Sequence, residues 1–345
     1  MNPPARTPDA AEAATAADTA SGGVLFRDGF RDGLSAAGPD ARWRHVQATP
    51  ELIADDGDLT VTGDGLRLAS RGRHPETGEP AYTRTVPSER GRTGVVPGFA
   101  DHAKWIAYVN RTAASGFQGF DAVPGRVLSV SATVSGRTYG TAGHPFGDAV
   151  RDPEDDLRLA GAMLNTIDPE TSVAFDFILT NRRLYAFYGR TNFARRLLGR
   201  YGSFACTVPL LDRTPNDRHR VRISYDRGAG VVRWLVEGEE VLRVDRIGLP
   251  LARETLTLDE GGELTVVEPR QLSFGMGTLS LLDGSWPTGR GLVRLSRATT
   301  YFRPDTGEPH EQAFVDEESL ESSRLFGQGA ELTIGDYTVT DEPAG

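Results

Sequence analysis

The stretch NDRHRVRISYDRGAGVVRWLVEGEEVLRVDRIG, residues 216–248, decides the fold. Its apolar side chains recur at every second position on both sides of a glycine-containing turn at 226–230, and a second turn follows at 237–239. Alternation with a period of two is typical of strands with one buried face, and glycine between such runs is typical of turns. The stretch therefore predicts three strands in an antiparallel meander.

The composition favours an all-β protein built from many short strands. The chain contains 40 Gly and 21 Pro, which suit turns better than long helices, and its 38% hydrophobic content is enough to bury a sizeable core. The net charge of −10, with the basic residues scattered along the chain, opposes binding to phosphate backbones and anionic lipids. We expect a small-molecule ligand and neither a nucleic-acid nor a membrane partner, and the oligomeric state stays open.

The chain shows no signal for a cofactor, a metal site or export. Residues 1–22 are rich in Ala, Pro, Thr and Asp without periodicity, which predicts a disordered tail before a single domain at 23–345. They lack the basic and apolar regions of a signal peptide, so we expect a cytoplasmic protein. Cys206 lies alone in an apolar run, which favours a buried thiol over a nucleophile, and the six histidines are dispersed. We expect no metal and no cofactor.

Further strands are predicted along the chain. Short alternating runs at 59–61 and 66–68 flank a Gly-containing turn and predict a hairpin, and 127–134 alternates over a longer range. TLTLDEGGELTVVEP predicts a hairpin around Gly261 and Gly262. From 69 to 124 the sequence is irregular apart from the run at 105–109, which leaves a functional loop or lid and edge strands as alternatives.

Three segments resemble concanavalin A-like lectins and glucanases. The central stretch matches the family's run of His, Tyr, Trp, Val and Gly, here His219, Tyr225, Trp234, Val236 and Gly238, with an acidic residue before the Gly. VLFRDGF at 24–30 resembles the family's opening strand, and GDYTV at 335–339 resembles its last strand. The resemblance implies a jelly-roll β-sandwich of two antiparallel sheets with long rim loops, in which the first and last strands pair.

The same resemblance implies an altered catalytic strand. The laminarinase-type strand carries E-x-D-x-x-E, and aligning Asp176 of VAFDFIL with its central Asp places Ala174 and Leu179 at the two Glu positions. A retaining glycosidase needs two carboxylates about 5–5.5 Å apart. The chain therefore resembles a branch of the superfamily without the catalytic glutamates, and we do not expect hydrolysis by that mechanism.

Candidate site residues follow from this strand and its neighbours. An Asp on an apolar strand is either a buried acceptor held by Tyr or Arg, or a general base or ligand acceptor. Trp234 is predicted to lie in the core. The candidates are Asp176, Tyr185 and Tyr188 as catalytic groups, and Arg190, Trp105, Trp286 and His144 as ligand-binding groups.

Of three functions, the sequence favours the first, and the other two are alternatives. The first is a cofactor-independent cyclase or isomerase of secondary metabolism that folds an apolar, polyketide-like substrate in the concave groove. The second is a non-catalytic carbohydrate-binding protein. The third is a glycoside hydrolase in which Asp176 acts with a substitute carboxylate, Asp148 or Glu237. The groove discriminates between the first two, because a lectin needs Asn, Asp or Gln beside aromatic rings whereas a cyclase pocket is mostly apolar.

Overall fold

Two large antiparallel sheets form a jelly-roll β-sandwich. The computed structural model describes residues 23–49, 52–55, 57–70, 103–286, 288–295, 301–317 and 328–345. The expected tail, residues 1–22, and most of the irregular segment, residues 71–102, lie outside the described residues. The fold class that the sequence predicts is confirmed, because almost every regular element described in both layers is a strand.

The first sheet contains the meander that the sequence predicts. Within the described residues its eight strands run in the order β16-β15-β14-β9-β21-β6-β5, and β1 also pairs with β21. The strands are β1 (Gly23–Asp28), β5 (Asp58–Thr62), β6 (Gly65–Ala69), β9 (Arg126–Tyr139), β14 (His219–Asp226), β15 (Val231–Val236), β16 (Glu239–Val244) and β21 (Gly329–Pro343). The pairing of β1 with β21 joins the two ends of the described chain, as the jelly-roll resemblance implies.

The second sheet carries the strand with Asp176. In the described part of the chain it has nine strands in the order β17-β13-β12-β11-β10-β18-β7-β2, with β8 on β18. They are β2 (Trp43–His45), β7 (Ala103–Val109), β8 (Phe120–Asp121), β10 (Gly161–Ile167), β11 (Val173–Leu179), β12 (Arg183–Arg190), β13 (Phe204–Asp212), β17 (Leu256–Asp259) and β18 (Gln271–Leu279).

Several short elements lie between the strands of the two sheets along the chain. They are the pair β3 (Gln47–Thr49) and β4 (Leu52–Ile53), the parallel pair β19 (Gly291–Val293) and β20 (Phe314–Asp316), a helix at Arg195–Leu198, and 3₁₀ turns at Thr141–Gly143, Gly147–Ala149 and Arg253–Thr255. The hairpin predicted around Gly261 and Gly262 is wrong. Only its first arm is a strand, because after the two glycines the chain forms a parallel bridge from Glu263 to Tyr201 instead of pairing back on β17.

The core lies between the sheets, and period-two alternation decides which side chains enter it. Trp234 and Ile223 from the first sheet pack with Phe175 and Phe177 from the second, and all four are fully buried. Trp234 is therefore a core residue, as predicted. We call the side of the second sheet that is turned away from this core its outer face. Asp176, between Phe175 and Phe177, points to that outer face.

Candidate functional site

Asp176 is a buried carboxyl on the outer face of the second sheet. Its Oδ1 accepts hydrogen bonds from Asn165 Nδ2 and from the Thr166 backbone N–H, both at 2.8 Å. Burial raises the pKa of Asp176 to about 8 in spite of these two donors. The carboxyl is therefore protonated at neutral pH. Because Oδ1 already accepts two hydrogen bonds, the proton resides on Oδ2.

Asp176 belongs to a row of polar side chains that crosses five strands in register. Arg44 on β2 lies opposite Tyr108 on β7, Tyr108 opposite Gly275 on β18, and Gly275 opposite Asn165 on β10. The flanking pairs of β10 and β11 put Asn165 opposite Asp176. Side chains opposite each other in an antiparallel sheet share a face. We call Arg44, Tyr108, Asn165 and Asp176 the polar row.

Each member of the polar row retains a polar atom without a partner. Arg44 Nε and Asn165 Oδ1 are buried and make no hydrogen bond. Within the described residues, no hydrogen bond reaches the Tyr108 hydroxyl or Asp176 Oδ2. Leaving a buried polar group unsatisfied costs about 1–3 kcal/mol, and native proteins leave few of them. Arg44 Nε and Asn165 Oδ1 are therefore costly unless something else satisfies them, whereas the Tyr108 hydroxyl and Asp176 Oδ2 are not fully buried.

Gly275 and Trp234 hold the row in place. A Cβ at Gly275 would lie 2.7 Å from Tyr108 Cδ1, so the absence of a side chain lets the Tyr108 ring extend across β18. On the opposite side of β11, the Trp234 indole Nε1 donates a 3.0 Å hydrogen bond to the Asp176 carbonyl oxygen. The row is thus built on rigid strands and is anchored through the core, which favours a fixed geometry.

The electrostatics of the row follow from its burial. Burial raises the pKa of the Tyr108 hydroxyl, and the field of Asp176 raises it further, so the phenol stays neutral. Burial lowers the pKa of the Arg44 guanidinium, although an arginine still remains charged. With Asp176 and Tyr108 neutral, the row carries one positive charge at its Arg44 end.

Comparison with known proteins gives a family. A family model described as a family of unknown function (DUF6081) matches residues 27–343. The chain belongs to this family. An uncharacterized protein of Acanthamoeba polyphaga mimivirus is 25% identical to this DUF6081 protein over 311 residues, a match that covers 74% of this chain and 66% of that protein.

Several solved structures are distantly similar to this chain. A non-specific endo-β-1,3(4)-glucanase from family GH16 is 8% identical, with a TM-score of 0.42, and the match covers 94% of this chain and 92% of that one. The κ-carrageenase from Pseudoalteromonas carrageenovora is 13% identical with a TM-score of 0.41, covering 92% and 93%. An alginate lyase from polysaccharide lyase family 7 is 8% identical with a TM-score of 0.38, covering 82% of each chain. At these identities the likeness concerns the fold alone.

Two of the residues that the sequence singles out in the DUF6081 protein meet on the outer face, away from Asp176. Tyr185 and Trp286 form an edge-to-face contact with ring centroids 5.8 Å apart. The Tyr185 hydroxyl donates to Asp155 Oδ1 at 3.0 Å, so its polar atom is already satisfied. Trp286 is half-buried and lines a separate cavity of about 340 Å³.

Tyr188 and Arg190 do not reach Asp176. Tyr188 points into the core, donates to the Leu249 carbonyl oxygen at 3.0 Å and accepts from the Gly248 N–H at 2.7 Å. The Arg190 guanidinium stacks on Tyr201 at 3.9 Å and donates to Thr265 Oγ1 at 2.8 Å. The expectation that Tyr or Arg holds the Asp176 carboxyl is therefore wrong. Asn165 and a backbone N–H hold it instead, because β10 and not β12 presents donors to it.

Trp105 and His144 also lie elsewhere in the DUF6081 protein. Trp105 is 1% exposed and sits in the core between the sheets, so it offers no platform for a ligand. The His144 ring lies in a loop, where its Nδ1 accepts the Phe146 N–H at 3.1 Å. Burial lowers the pKa of His144, which keeps the imidazole neutral at pH 7.

The carboxylates proposed as partners of Asp176 are remote in the topology. Glu237 lies at the exposed turn between β15 and β16 of the first sheet, where its Oε1 accepts the Arg220 N–H. Asp148 is exposed in a 3₁₀ turn of the β9–β10 connection. Neither lies on a strand of the sheet that carries Asp176, so the pairing required of a glycosidase is not supported for these two residues.

A second group of buried acids is fully engaged. Burial raises the pKa of Asp283 to about 6 and also raises that of Glu260. The Tyr301 hydroxyl donates to Asp283 at 2.9 Å, and Ser203 and Asn192 donate to the two oxygens of Glu260. These bonds tie the segment after β18 to the edge of the second sheet, which is a structural role.

Another groove lies on the outer face of the first sheet of the DUF6081 protein. Its volume is about 970 Å³, and Ser and Thr hydroxyls of β9 and β21 form part of its floor. Its charged rims pair with each other, Arg42 with Asp28 at 3.2 Å and Arg222 with Glu342 at 2.9 Å. It therefore lacks the unsatisfied buried groups that distinguish the polar row.

The described residues offer neither a metal cluster nor a membrane-spanning helix. Among the residues that the structure describes, no group of three or more His, Cys, Asp and Glu is placed to hold a metal ion. No helix in the described ranges has the length and apolar character needed to cross a bilayer.

Sequence reasoning identified Asp176 and missed Arg44, Tyr108 and Asn165. Two signals were present. The first is Asn165, a polar residue that faces outward in the mainly apolar strand GAMLNTI. The second is the spacing of Trp105 and Tyr108, which are three residues apart and therefore lie on opposite faces of one strand. The sequence alone does not show which of these two aromatic residues faces the core. Tyr108 could be chosen over Trp105 as a site residue only once the inward face of this strand was known.

Proposed function

We propose that the polar row binds a hydroxyl-rich ligand of the saccharide class on the outer face of the second sheet. The observation that carries this proposal is the pair of buried, unsatisfied atoms Arg44 Nε and Asn165 Oδ1, in register with the unpartnered Tyr108 hydroxyl and Asp176 Oδ2. A ligand hydroxyl both donates and accepts hydrogen bonds, so it can serve the Arg44 donor, the Asn165 acceptor and the Tyr108 hydroxyl, which is both. Bound ligand hydroxyls would remove the cost of leaving these atoms unpaired.

The same atoms favour a saccharide over the apolar substrate of a cyclase. An apolar polyene or polyketide-like molecule would cover Asn165 Oδ1 and Arg44 Nε without satisfying them. A saccharide ring also has an apolar face, and the aromatic rings of Tyr108 and Phe187 border Asn165 and Asp176 within the same register row. Convergent polar groups beside aromatic rings are typical of small-molecule sites that recognise polar ligands.

A glycan array tests this function. The native protein should bind at least one glycan class, and Asn165→Leu, which keeps the shape of the side chain and removes its amide, should lose at least tenfold in affinity. Met163→Leu, on the same strand and face, is the matched control and should bind as the native protein does. Equal binding by Asn165→Leu, or no glycan bound by the native protein, would refute the proposal.

A second candidate is catalysis with Asp176 as a general acid. The observation that favours it is the pKa of about 8, which keeps a proton on the carboxyl at neutral pH beside the proposed ligand position. Asp176 would transfer the Oδ2 proton to a glycosidic oxygen as its C–O bond breaks, a water molecule would add to the sugar carbon, and the proton that this water releases would return to Asp176. Product formation from a bound glycan, detected by mass spectrometry, should then fall as pH rises past 8 and be lost in Asp176→Asn. A bound glycan that stays intact for days would leave binding as the function.

A further inference from the structure

The Arg44 end of the polar row carries a positive charge without a counter-ion. The guanidinium is half-buried, its Nε is buried without a partner, and the neighbouring titratable group is the neutral Tyr108. In the described part of the chain no carboxylate forms an ion pair with Arg44. The other charged candidate in the row, Asp176, is protonated at neutral pH and does not neutralise it.

The more deeply buried arginines Arg158 and Arg213 form ion pairs or hydrogen bonds to carbonyl oxygens. Arg158 pairs with the Asp156 carboxylate at 2.6 Å and donates to backbone carbonyls as well. Arg213 donates to the carbonyl oxygens of Gly136 and Thr180. Arg213 Nε is also buried without a partner, but its other nitrogens form these bonds, whereas the Arg44 guanidinium forms no hydrogen bond or ion pair within the described residues. Burying a guanidinium without such partners is unfavourable.

We propose that Arg44 binds an anionic oxygen group, a carboxylate or a sulfate, on the saccharide, whose hydroxyls contact Tyr108, Asn165 and Asp176. This inference rests on the proposed function of the polar row. The planar fork of a guanidinium matches two oxygens of a carboxylate or sulfate and forms charge-assisted hydrogen bonds with them. An anion at this position would supply the partner that Arg44 lacks within the described protein.

The length of the row sets the size of the ligand. Arg44 and Asp176 are separated by four strand intervals, which at about 4.8 Å each is about 19 Å between their backbones. A single sugar ring does not reach both ends of such a row. The ligand class is therefore an acidic oligosaccharide, with its anionic group at β2 and a hydroxyl at β11.

The charge of the row also predicts how binding depends on pH. Below pH 8 Asp176 is neutral and the row has a net positive charge; above pH 8 the carboxylate forms and the net charge becomes zero. Tyr108 stays neutral throughout this range, because burial raises the pKa of its hydroxyl. Arg44 stays charged. Affinity for an acidic ligand should therefore fall as pH rises through 8, and Asp176→Asn should remove that dependence.

The experiment compares matched glycans and two arginine variants. The probes are acidic oligosaccharides carrying uronate or sulfate, each with its neutral counterpart, and affinity is measured by titration calorimetry after an array screen at pH 6. The native protein should prefer the acidic member by at least tenfold. Arg44→Gln should lose this preference, so that its affinities for the acidic and the neutral member become equal. Arg27→Gln, in the groove on the first sheet, should change neither affinity.

The outcomes separate failure of the Arg44 inference from failure of the proposed function. A native protein that binds neutral and acidic members equally, with Arg44→Gln unchanged, overturns the inference but leaves the proposed function intact. A protein that binds neither kind refutes the proposed function, and the inference with it. If Arg44→Gln does not fold, Arg44→Lys should keep part of the preference, and the native affinity for the acidic member should fall about fourfold between pH 6 and pH 9, the effect of one unit charge about 19 Å away at an effective dielectric constant of about 20. A pH-independent affinity then overturns the inference.

Discussion

Asp176→Asn should make the protein more stable at neutral pH, although Asp176 belongs to the polar row that we propose as the binding site. In the unfolded chain this carboxyl ionises near its ordinary pKa of 3.8, whereas burial in the folded state raises the pKa to about 8. The stability that the protonated carboxyl provides is complete below pH 3.8 and is lost progressively as pH rises to 8. At about 1.4 kcal/mol per pH unit, the loss is about 2 kcal/mol at pH 5 and about 4 kcal/mol at pH 7.

Asparagine does not titrate and keeps the shape of the neutral carboxyl. Its side-chain oxygen can accept the hydrogen bonds from Asn165 and the Thr166 N–H that Asp176 Oδ1 accepts. The variant should therefore recover most of the lost stability. For a chain of 345 residues we expect a melting temperature about 3 °C higher than native at pH 5 and about 6 °C higher at pH 7, measured by scanning calorimetry.

Asp168→Asn is the matched control, because Asp168 is buried as deeply but accepts four hydrogen bonds. Glu170 and Thr171 N–H groups, the Thr171 hydroxyl and Gln271 Nε2 share its two oxygens. An amide keeps one acceptor oxygen, so two donors lose their partner and the melting temperature should fall. If Asp176→Asn melts at or below the native protein at pH 7, or if its advantage is the same at pH 5 and pH 7, Asp176 is not the neutral carboxyl described above.

Three other substitutions and one chemical treatment test the site and the packing around it. Tyr108→Phe removes a hydroxyl without a partner, so the free energy of unfolding should not change while glycan affinity falls about tenfold. Tyr185→Phe breaks a buried hydrogen bond, so the free energy of unfolding should fall by about 1–3 kcal/mol in chemical unfolding while glycan affinity is unchanged. Gly275→Ala places a Cβ 2.7 Å from the Tyr108 ring and should cost about 1–3 kcal/mol of stability; an unchanged unfolding midpoint would contradict the register. Burial raises the pKa of the Cys206 thiol to about 11, so a thiol reagent at pH 8 should react with it only after unfolding, and fast reaction of the folded protein would place it at the surface.

The sequence predicts the fold well because the fold rests on local patterns. Period-two alternation locates β14, β15 and β16, and Trp234 falls on their buried face as expected. The hairpin at β5 and β6 and the pairing of the first strand with the last are also confirmed. These features depend on residues that are close in the chain or on end segments with a recognisable pattern.

The candidate site was less accessible because it depends on strand order. The neighbours of Asp176 come from β10, β18, β7 and β2, which are not consecutive along the chain, so spacing alone could not bring Asn165, Tyr108 and Arg44 together. Tyr185 and Tyr188 lie on β12, the strand that directly follows the strand of Asp176. Tyr188 faces the core, however, and Tyr185 bonds to Asp155. A shift of one residue changes the face on which a strand side chain lies.

The most direct test of the central claim is a crystal structure of the protein with the glycan that the array binds most tightly. The account predicts ligand oxygens within hydrogen-bonding distance of Asn165 Oδ1 and Asp176 Oδ2, with an anionic group on the Arg44 guanidinium. A glycan bound in the groove of the first sheet, with the polar row still unpartnered, would contradict it.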